Sequence, residues 1–159
     1  EALEGREAQD RACSILDEFE LKSAAESVPN EGAEETIQQL ASMGLPLSVV
    51  TRNCRRAVDR SLMKFPELSA DAFQLIVTRD DCLRPKPDPE GVHRAAGAMG
   101  VPVQSILCVG DYVFDVELAR NAGCVSAYLS PDAECPAEEP DYLIRRLDEI
   151  PGIIEGLAE

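Results

Sequence analysis

Basic residues are scarce in this 159-residue chain. Lys and Arg number 15 against 30 Asp and Glu, and the formal net charge is −15. Nucleic-acid backbones and anionic membrane surfaces bind through basic patches, so neither is expected as the main partner. A small anionic ligand stays compatible, because a few local donors or a metal ion can hold it. Long apolar runs are lacking as well. None reaches 18 residues, so no membrane span is expected. The opening EALEGREAQDR is charged and does not read as a signal peptide. No G-x-G-x-x-G follows the first strand-like run, which argues against a dinucleotide-binding domain. Neither an internal repeat nor a low-complexity tract occurs. C-x-x-C is absent too. Six cysteines stand at 13, 54, 82, 108, 124 and 135, separated by 41, 28, 26, 16 and 11 positions. They read as buried free thiols of a reducing compartment, the cytoplasm or a reducing organelle, rather than as a disulfide or zinc framework.

What is present fits one globular domain. Apolar residues make up 45%, and a chain of this length can bury roughly two-thirds of its unfolded surface. Ala12, Ile15, Leu16 and Phe19 repeat at helical spacing within 6–27, and Ala33, Ile37, Leu40 and Met43 do so within 32–43. A β-branched apolar run at 45–51 predicts a strand, followed by a helix over 54–64 with Ala57, Val58, Ser61 and Leu62 inward. Further strands are expected at 72–78, 105–109, 124–129 and, as a short edge, 142–144. Helices are expected at 88–99, 113–122 and 147–158, with polar, proline-rich loops at 79–89 and 131–140. Strands alternating with helices of this length predict an α/β fold with a parallel sheet covered on both faces. The strands are continuously apolar, as buried parallel strands should be.

In open parallel sheets, ligands bind outside the carboxyl ends of the strands. Thr51 ends the first strand, Lys86 lies in the loop after the second, and Asp111 ends the third with Asp115 one helical turn on. Two carboxylates converging on one point repel unless a cation lies between them. Mg²⁺ suits such a pair, completing its shell with water and phosphate oxygens. The plainer alternative makes Asp111 a helix cap and Asp115 a first-turn acid. Lys86 stands in Arg84-Pro85-Lys86-Pro87-Asp88-Pro89, where prolines fix its point of departure. An ammonium there could neutralise developing phosphoryl charge or could be merely solvated. Thr51-Arg52-Asn53 offers a hydroxyl and backbone N–H groups before a helix, a possible anion cradle. A simple cap at Thr51 and a surface role for Arg52 are the alternatives.

Taken in order, these groups resemble a known family. The segments Leu47–Asn53, Lys86-Pro87-x-Pro89 and Val109-Gly110-Asp111-x-x-x-Asp115-Val116-x-x-Ala119-x-x-Ala122-Gly123 are similar to the second, third and fourth motifs of the haloacid dehalogenase-like hydrolases. The closest likeness is to the phosphoglycolate phosphatase-like and beta-phosphoglucomutase-like branches, over about 30–130. The resemblance implies a Rossmann-like three-layer α/β sandwich with a parallel sheet and an N-terminal helical cap remnant. It implies residues 1–28 as that cap remnant or a linker, and 29–159 as the core. It implies Mg²⁺-dependent hydrolysis of a small phosphorylated metabolite, a phosphate monoester, through an aspartyl-phosphate. Thr51 and Lys86 would serve catalysis; Thr51, Arg52, Asn53 and Lys86 would bind substrate; Asp111 and Asp115 would hold Mg²⁺, Asp111 more directly.

The chain departs from the family at one point. The first motif, an apolar strand ending in Asp-x-Asp that carries the nucleophile, is not found before Thr51. Asp10 and Asp17 lie on a helix, and Asp80-Asp81 follow the wrong strand. In the family that strand is central, between those ending in Thr51 and Asp111. Its loss would leave apolar strand edges unpaired. With Glu1 in place of Met, the expectation is a piece of a longer polypeptide, inactive as it stands. The alternative is a pseudo-phosphatase that binds a phospholigand or a partner without turnover. A receiver domain is disfavoured, because there the acids precede Thr and Lys.

Overall fold

The structure, a computed structural model, describes residues 2–68, 70–134 and 139–157. Glu1, Cys135 and the centre of the expected 131–140 loop therefore lie outside the described residues. The helices are α1 (Ala2–Glu26), α2 (Ala33–Ser42), α3 (Arg55–Leu62), α4 (Glu90–Met99), α5 (Val113–Ala122) and α6 (Ile150–Leu157). The strands are β1 (Ser48–Val50), β2 (Leu75–Val77), β3 (Leu107–Gly110), β4 (Val125–Leu129) and β5 (Tyr142–Ile144).

The element order agrees with the expectation, and the differences lie at the ends. β1 is shorter than the apolar run 45–51. Pro46 has no N–H to give a ladder, and the Leu45 N–H bonds back to Leu40 O at 3.3 Å, closing α2. Pairing still runs past β1 on both sides. Gln74 N–H donates to Leu47 O at 2.7 Å, and Thr51 N–H donates to Val77 O at 2.9 Å. Single 3₁₀ turns at Ala70–Ala72 and Leu147–Glu149 replace the expected start of a strand and of the last helix.

All strand pairs are parallel, but they form two sheets. β1 pairs with β2, and β3 pairs with β4, which pairs with β5. Helices cover both faces, giving the Rossmann-like three-layer arrangement. α4 packs on β1 and β2, and α5 on β3 and β4. On the other face α2 and α6 close over Ala127 and Ile144, with Leu40 and Ile150 completing the main core. α4 lies very close to β1. A Cβ added at Gly91 would stand 2.5 Å from Val50 Cγ1.

Between β1 and β3 lies a cavity of about 760 Å³, lined by Ser48 and Val50 on one side and Leu107, Cys108 and Val109 on the other. This corrects the expectation of continuously buried strands. β1 is only half-buried, and Val109 keeps 40% of its surface exposed. An edge without a neighbour leaves one flank of each strand accessible. The Ser48 hydroxyl is buried in this region without a hydrogen-bond partner.

The first helix also corrects an expectation. Its apolar stripe is not covered among the described residues: Ile15 is 63% and Phe19 72% exposed. α1 meets the body along its second half, through Asp17 and Glu20, and near its end Ala24 packs with Cys54 and Ala57 of the α3 region. Lys64 Nζ, extending from beyond α3, donates to Ala25 O at 3.0 Å and to Ser27 O. It thereby satisfies carbonyls that a helix end leaves open. Met43 is exposed, and Ser61 and Leu62 are only half-buried. Cys13 is exposed as well, so burial does not extend to every thiol; Cys54 is buried, and Cys82, Cys108 and Cys124 partly so. Among the described residues no helix is long and apolar enough to cross a membrane.

Candidate active site

The carboxyl ends of β1 and β3 open on the same cavity, and the loop after β2 reaches it. Lys86 leaves that loop and donates to Asp115 Oδ1 at 2.6 Å. Both side chains are largely buried, at 17% and 15% exposure. The other Asp115 oxygen accepts the Tyr112 N–H at 3.2 Å. Asp115 thus holds the start of α5 and the ammonium together. Gly110 is needed here for a steric reason. A Cβ on it would fall 2.2 Å from Asp115 Cγ, so only glycine lets the carboxylate fold back over β3. Asp111, between the two, is exposed.

Directly after β1, Thr51 Oγ1 accepts the Asn53 N–H at 3.2 Å. That contact uses an oxygen lone pair and leaves the hydroxyl proton free to donate. The open N–H cradle expected after Thr51 is not present in that form. The Cys54 N–H donates to Glu20 Oε2 at 2.6 Å, and the Arg55 N–H to Asp80 Oδ2 at 2.8 Å. Carboxylates satisfy the start of α3, as the helix dipole favours. An incoming anion would meet the Thr51 hydroxyl rather than a row of free amides. Arg52 and Asn53 are exposed.

A contact not foreseen from the sequence bridges the mouth. The Arg52 guanidinium lies 5.1 Å from the centre of the Phe114 ring. Phe114 meets Tyr112 edge to face, 5.2 Å between centroids and 79° between planes. The loop after β1 therefore touches the first turn of α5 through a cation–π contact. The sequence signal was two aromatics, Tyr112 and Phe114, between Asp111 and Asp115.

A second cluster lies on the α1 side. Arg79 donates to Glu20 Oε1 at 3.2 Å and Oε2 at 3.1 Å, and also to Asp17. Ligand atoms of Asp17, Glu20 and Cys54 lie within 4.8 Å of one another, a grouping that could hold a metal ion. The guanidinium already neutralises it. Arg79 is held above its ordinary value chiefly by the Glu20 hydrogen bond, while burial pushes the Cys54 thiol up. Asp17, read as a polar-face residue, is thus one end of an ion pair that anchors α1.

The acids after β2 serve the loop itself. Asp81 Oδ2 accepts both the Thr78 hydroxyl at 2.6 Å and the Thr78 N–H at 2.8 Å, and these bonds hold its carboxyl below the usual range. Asp141 does the same for Ser126, at 2.8 Å from N–H and 2.7 Å from hydroxyl, with the same effect. Near the site, Cys108 Sγ and Cys124 Sγ lie 3.3 Å apart. Their contact and burial push the Cys108 thiol up, while the S–H of Cys108 pulls Cys124 down.

The chain as a whole has counterparts among known proteins. A family model described as haloacid dehalogenase-like hydrolase matches residues 4–129. The chain belongs to this family. Among curated haloacid dehalogenase-like relatives, the pyrophosphatase PpaX of Bacillus velezensis is 33% identical over 124 residues, covering 76% of this chain and 56% of the relative. A validoxylamine A 7'-phosphate phosphatase of Streptomyces hygroscopicus is 34% identical over 126 residues, covering 78% and 58%. The chain thus spans a little over half the length of these relatives. A solved structure described as a predicted phosphoglycolate phosphatase from Haemophilus somnus matches with a TM-score of 0.70 and 25% identity, over 78% of this chain and 56% of that one. A HAD hydrolase of family IA, variant 3, from Entamoeba histolytica shares the fold, with a TM-score of 0.76 over 97% of this chain and 72% of that one, at 16% identity.

Proposed function

We propose that this protein contributes most of the site of a Mg²⁺-dependent hydrolase of small phosphate monoesters. The observation that carries the reading is the Lys86–Asp115 pair at 2.6 Å, which lines the cavity between β1 and β3, with Thr51 directly after β1 and Asp111 directly after β3. Lys86 would neutralise charge on the phosphoryl oxygens, where a low-dielectric setting strengthens the effect. Thr51 would donate its hydroxyl proton to one of those oxygens, with Arg52 and Asn53 beside it for the rest of the substrate. The donor set suits Mg²⁺, a hard cation that takes one or two carboxylates. Asp111 would hold it directly. Asp115, whose oxygens already meet Lys86 and the Tyr112 N–H, would act from the outer shell. The bound ion would supply charge neutralisation for phosphate.

The cavity between β1 and β3 suggests where the nucleophile enters. Facing parallel edges, apolar walls and the unpartnered Ser48 hydroxyl fit one extended apolar strand ending in Asp-x-Asp. On this reading residues 29–159 form the core that receives it, and residues 1–28 form a cap remnant or linker.

A second reading, a phospholigand-binding module without turnover, is favoured by the acids nearest β1. Asp80 and Asp81 are committed to the Arg55 N–H and to Thr78, so neither is free to attack. One experiment separates the two. The chain is assayed on p-nitrophenyl phosphate with Mg²⁺, alone and with a synthetic apolar strand ending in Asp-x-Asp. Turnover that needs the peptide, stops in EDTA and is lost in Asp111→Asn supports the hydrolase. A phosphate-induced rise in Tm, with no turnover under either condition, supports the binding module. Activity surviving EDTA would overturn the first reading.

A further inference from the structure

Cys108 and Cys124 play no part in the proposed hydrolysis, and their positions are specific. Cys108 lies on β3, three residues before Asp111. Cys124 lies in the turn between α5 and β4. The register pairs Leu107 with Val125, so Cys108 and Cys124 both point to the opposite face of the sheet. There Cys124 Sγ meets Ala119 O of α5 at 3.6 Å. The sulfurs are 3.3 Å apart. A disulfide needs about 2.05 Å between sulfurs, so they must close by little more than about 1 Å, within reach of side-chain rotation. The other described thiols lie elsewhere: Cys13 exposed on α1, Cys54 buried against it, Cys82 beyond β2. Neither sulfur is fully buried, since Cys108 and Cys124 are both only partly covered.

We propose that Cys108 and Cys124 are a modification site, a dithiol that a hydroperoxide converts reversibly to a disulfide. The bond would tie β3 to the α5–β4 turn and enclose Asp111 and Asp115 in a covalent loop of 16-residue separation. The steps balance. The Cys124 sulfur attacks a peroxide oxygen, the O–O bond breaks, and a sulfenic acid and one water form. The Cys108 sulfur then attacks the Cys124 sulfur, the S–O bond breaks, and hydroxide leaves with the Cys108 proton as a second water. Two thiols are oxidised by one electron each, and one hydrogen peroxide is reduced to two waters. This order follows the thiols' surroundings: the Cys108 contact pulls the Cys124 thiol down, whereas the same contact and burial push Cys108 up.

Titration of the whole chain with hydrogen peroxide, followed by intact mass and non-reduced peptide mapping, tests this. The expected result is the loss of two hydrogens per chain, a single cross-linked peptide pair containing Cys108 and Cys124, and full reversal by dithiothreitol. The oxidised protein should also melt several degrees higher, because closing the loop restricts the unfolded chain. Cys124→Ser should lose both the mass change and the Tm shift, whereas Cys13→Ser and Cys82→Ser should keep them. If Cys124→Ser does not fold, the wild-type peptide map still decides. Links through Cys13, Cys54, Cys82 or Cys135, or sulfinic acids in place of a cross-link, would overturn the proposal.

Discussion

Lys86 Nζ and Asp115 Oδ1 stand 2.6 Å apart, joining a loop after one sheet to the first turn of a helix on the other. The pair both fastens the two halves and competes with any cation for the same carboxylate. Lys86→Met should therefore act in opposite directions on two ligands. The Tm rise with inorganic phosphate should disappear, while the rise with Mg²⁺ should grow as Asp115 is freed. Stability without ligand should fall by about 1–3 kcal/mol, the range for a partly buried charge that loses its partner. A smaller Mg²⁺ response in the variant would show that the ammonium and the ion do not compete.

The glycine before Asp111 gives a steric test. In Gly110→Ala the new Cβ meets Asp115 Cγ at 2.2 Å, so the carboxylate must leave Lys86. A loss of about 1–3 kcal/mol in urea unfolding is expected from overpacking. Gly97, inside α4, has nothing within 4 Å of an added Cβ. Gly97→Ala should instead stabilise by about 0.5–1 kcal/mol, the usual helix gain. Similar effects at both positions would contradict the packing described around Asp115.

The anchoring of α1 should depend on Glu20. Its carboxylate accepts the buried Cys54 N–H and pairs with Arg79. Glu20→Ala leaves the Cys54 N–H without its acceptor and Arg79 with Asp17 alone, and should cost roughly 2–4 kcal/mol. Glu20→Gln keeps an acceptor for the N–H and should cost less. Urea midpoints rank the two. Equal losses would place the energy in the charge rather than in the cap.

Acid should weaken the fold through Asp81 and Asp141. Both carboxyls are held below their unfolded value, chiefly by the hydroxyl of Thr78 and by the N–H of Ser126 respectively. Above about pH 5 both are ionised, folded or not, and their contribution is complete. As pH falls further, the unfolded chain takes up protons first and stability drops until the folded values are passed. Urea midpoints from neutral pH downwards should show a decline that begins near pH ~5. The decline should be shallower in Thr78→Val combined with Ser126→Ala.

The alternation of strands and helices was legible because parallel strands and amphipathic helices leave different periods in the chain. Thr51, Lys86, Asp111 and Asp115 were legible as strand-end residues for the same reason. What spacing could not supply was pairing at a distance. Arg79 with Glu20 joins positions 59 apart in sequence, and Arg52 with Phe114 joins the loop after β1 to the first turn of α5, 62 positions on. The stripe on α1 misled in a different way. Apolar spacing predicts a buried face but not what buries it, and Phe19 has no cover among the described residues. Nor could spacing show that the Cys54 and Arg55 N–H groups at the start of α3 are claimed by Glu20 and Asp80 from other elements.

The separation of β1 from β3 bears on how the molecule comes apart. Among the described residues the two sheets share no ladder, and the cluster around Leu40 and Ile144 has no member in common with that around Ala24 and Ala57. A body with such a seam need not melt as one cooperative unit, and its calorimetric and van't Hoff enthalpies should differ. Whatever spans the gap, touching Thr51 on one bank and Asp111 on the other, would make the halves share a fate. Its signature would be a sharper transition as well as a later one, so the width of the melting curve would report that the site has been closed.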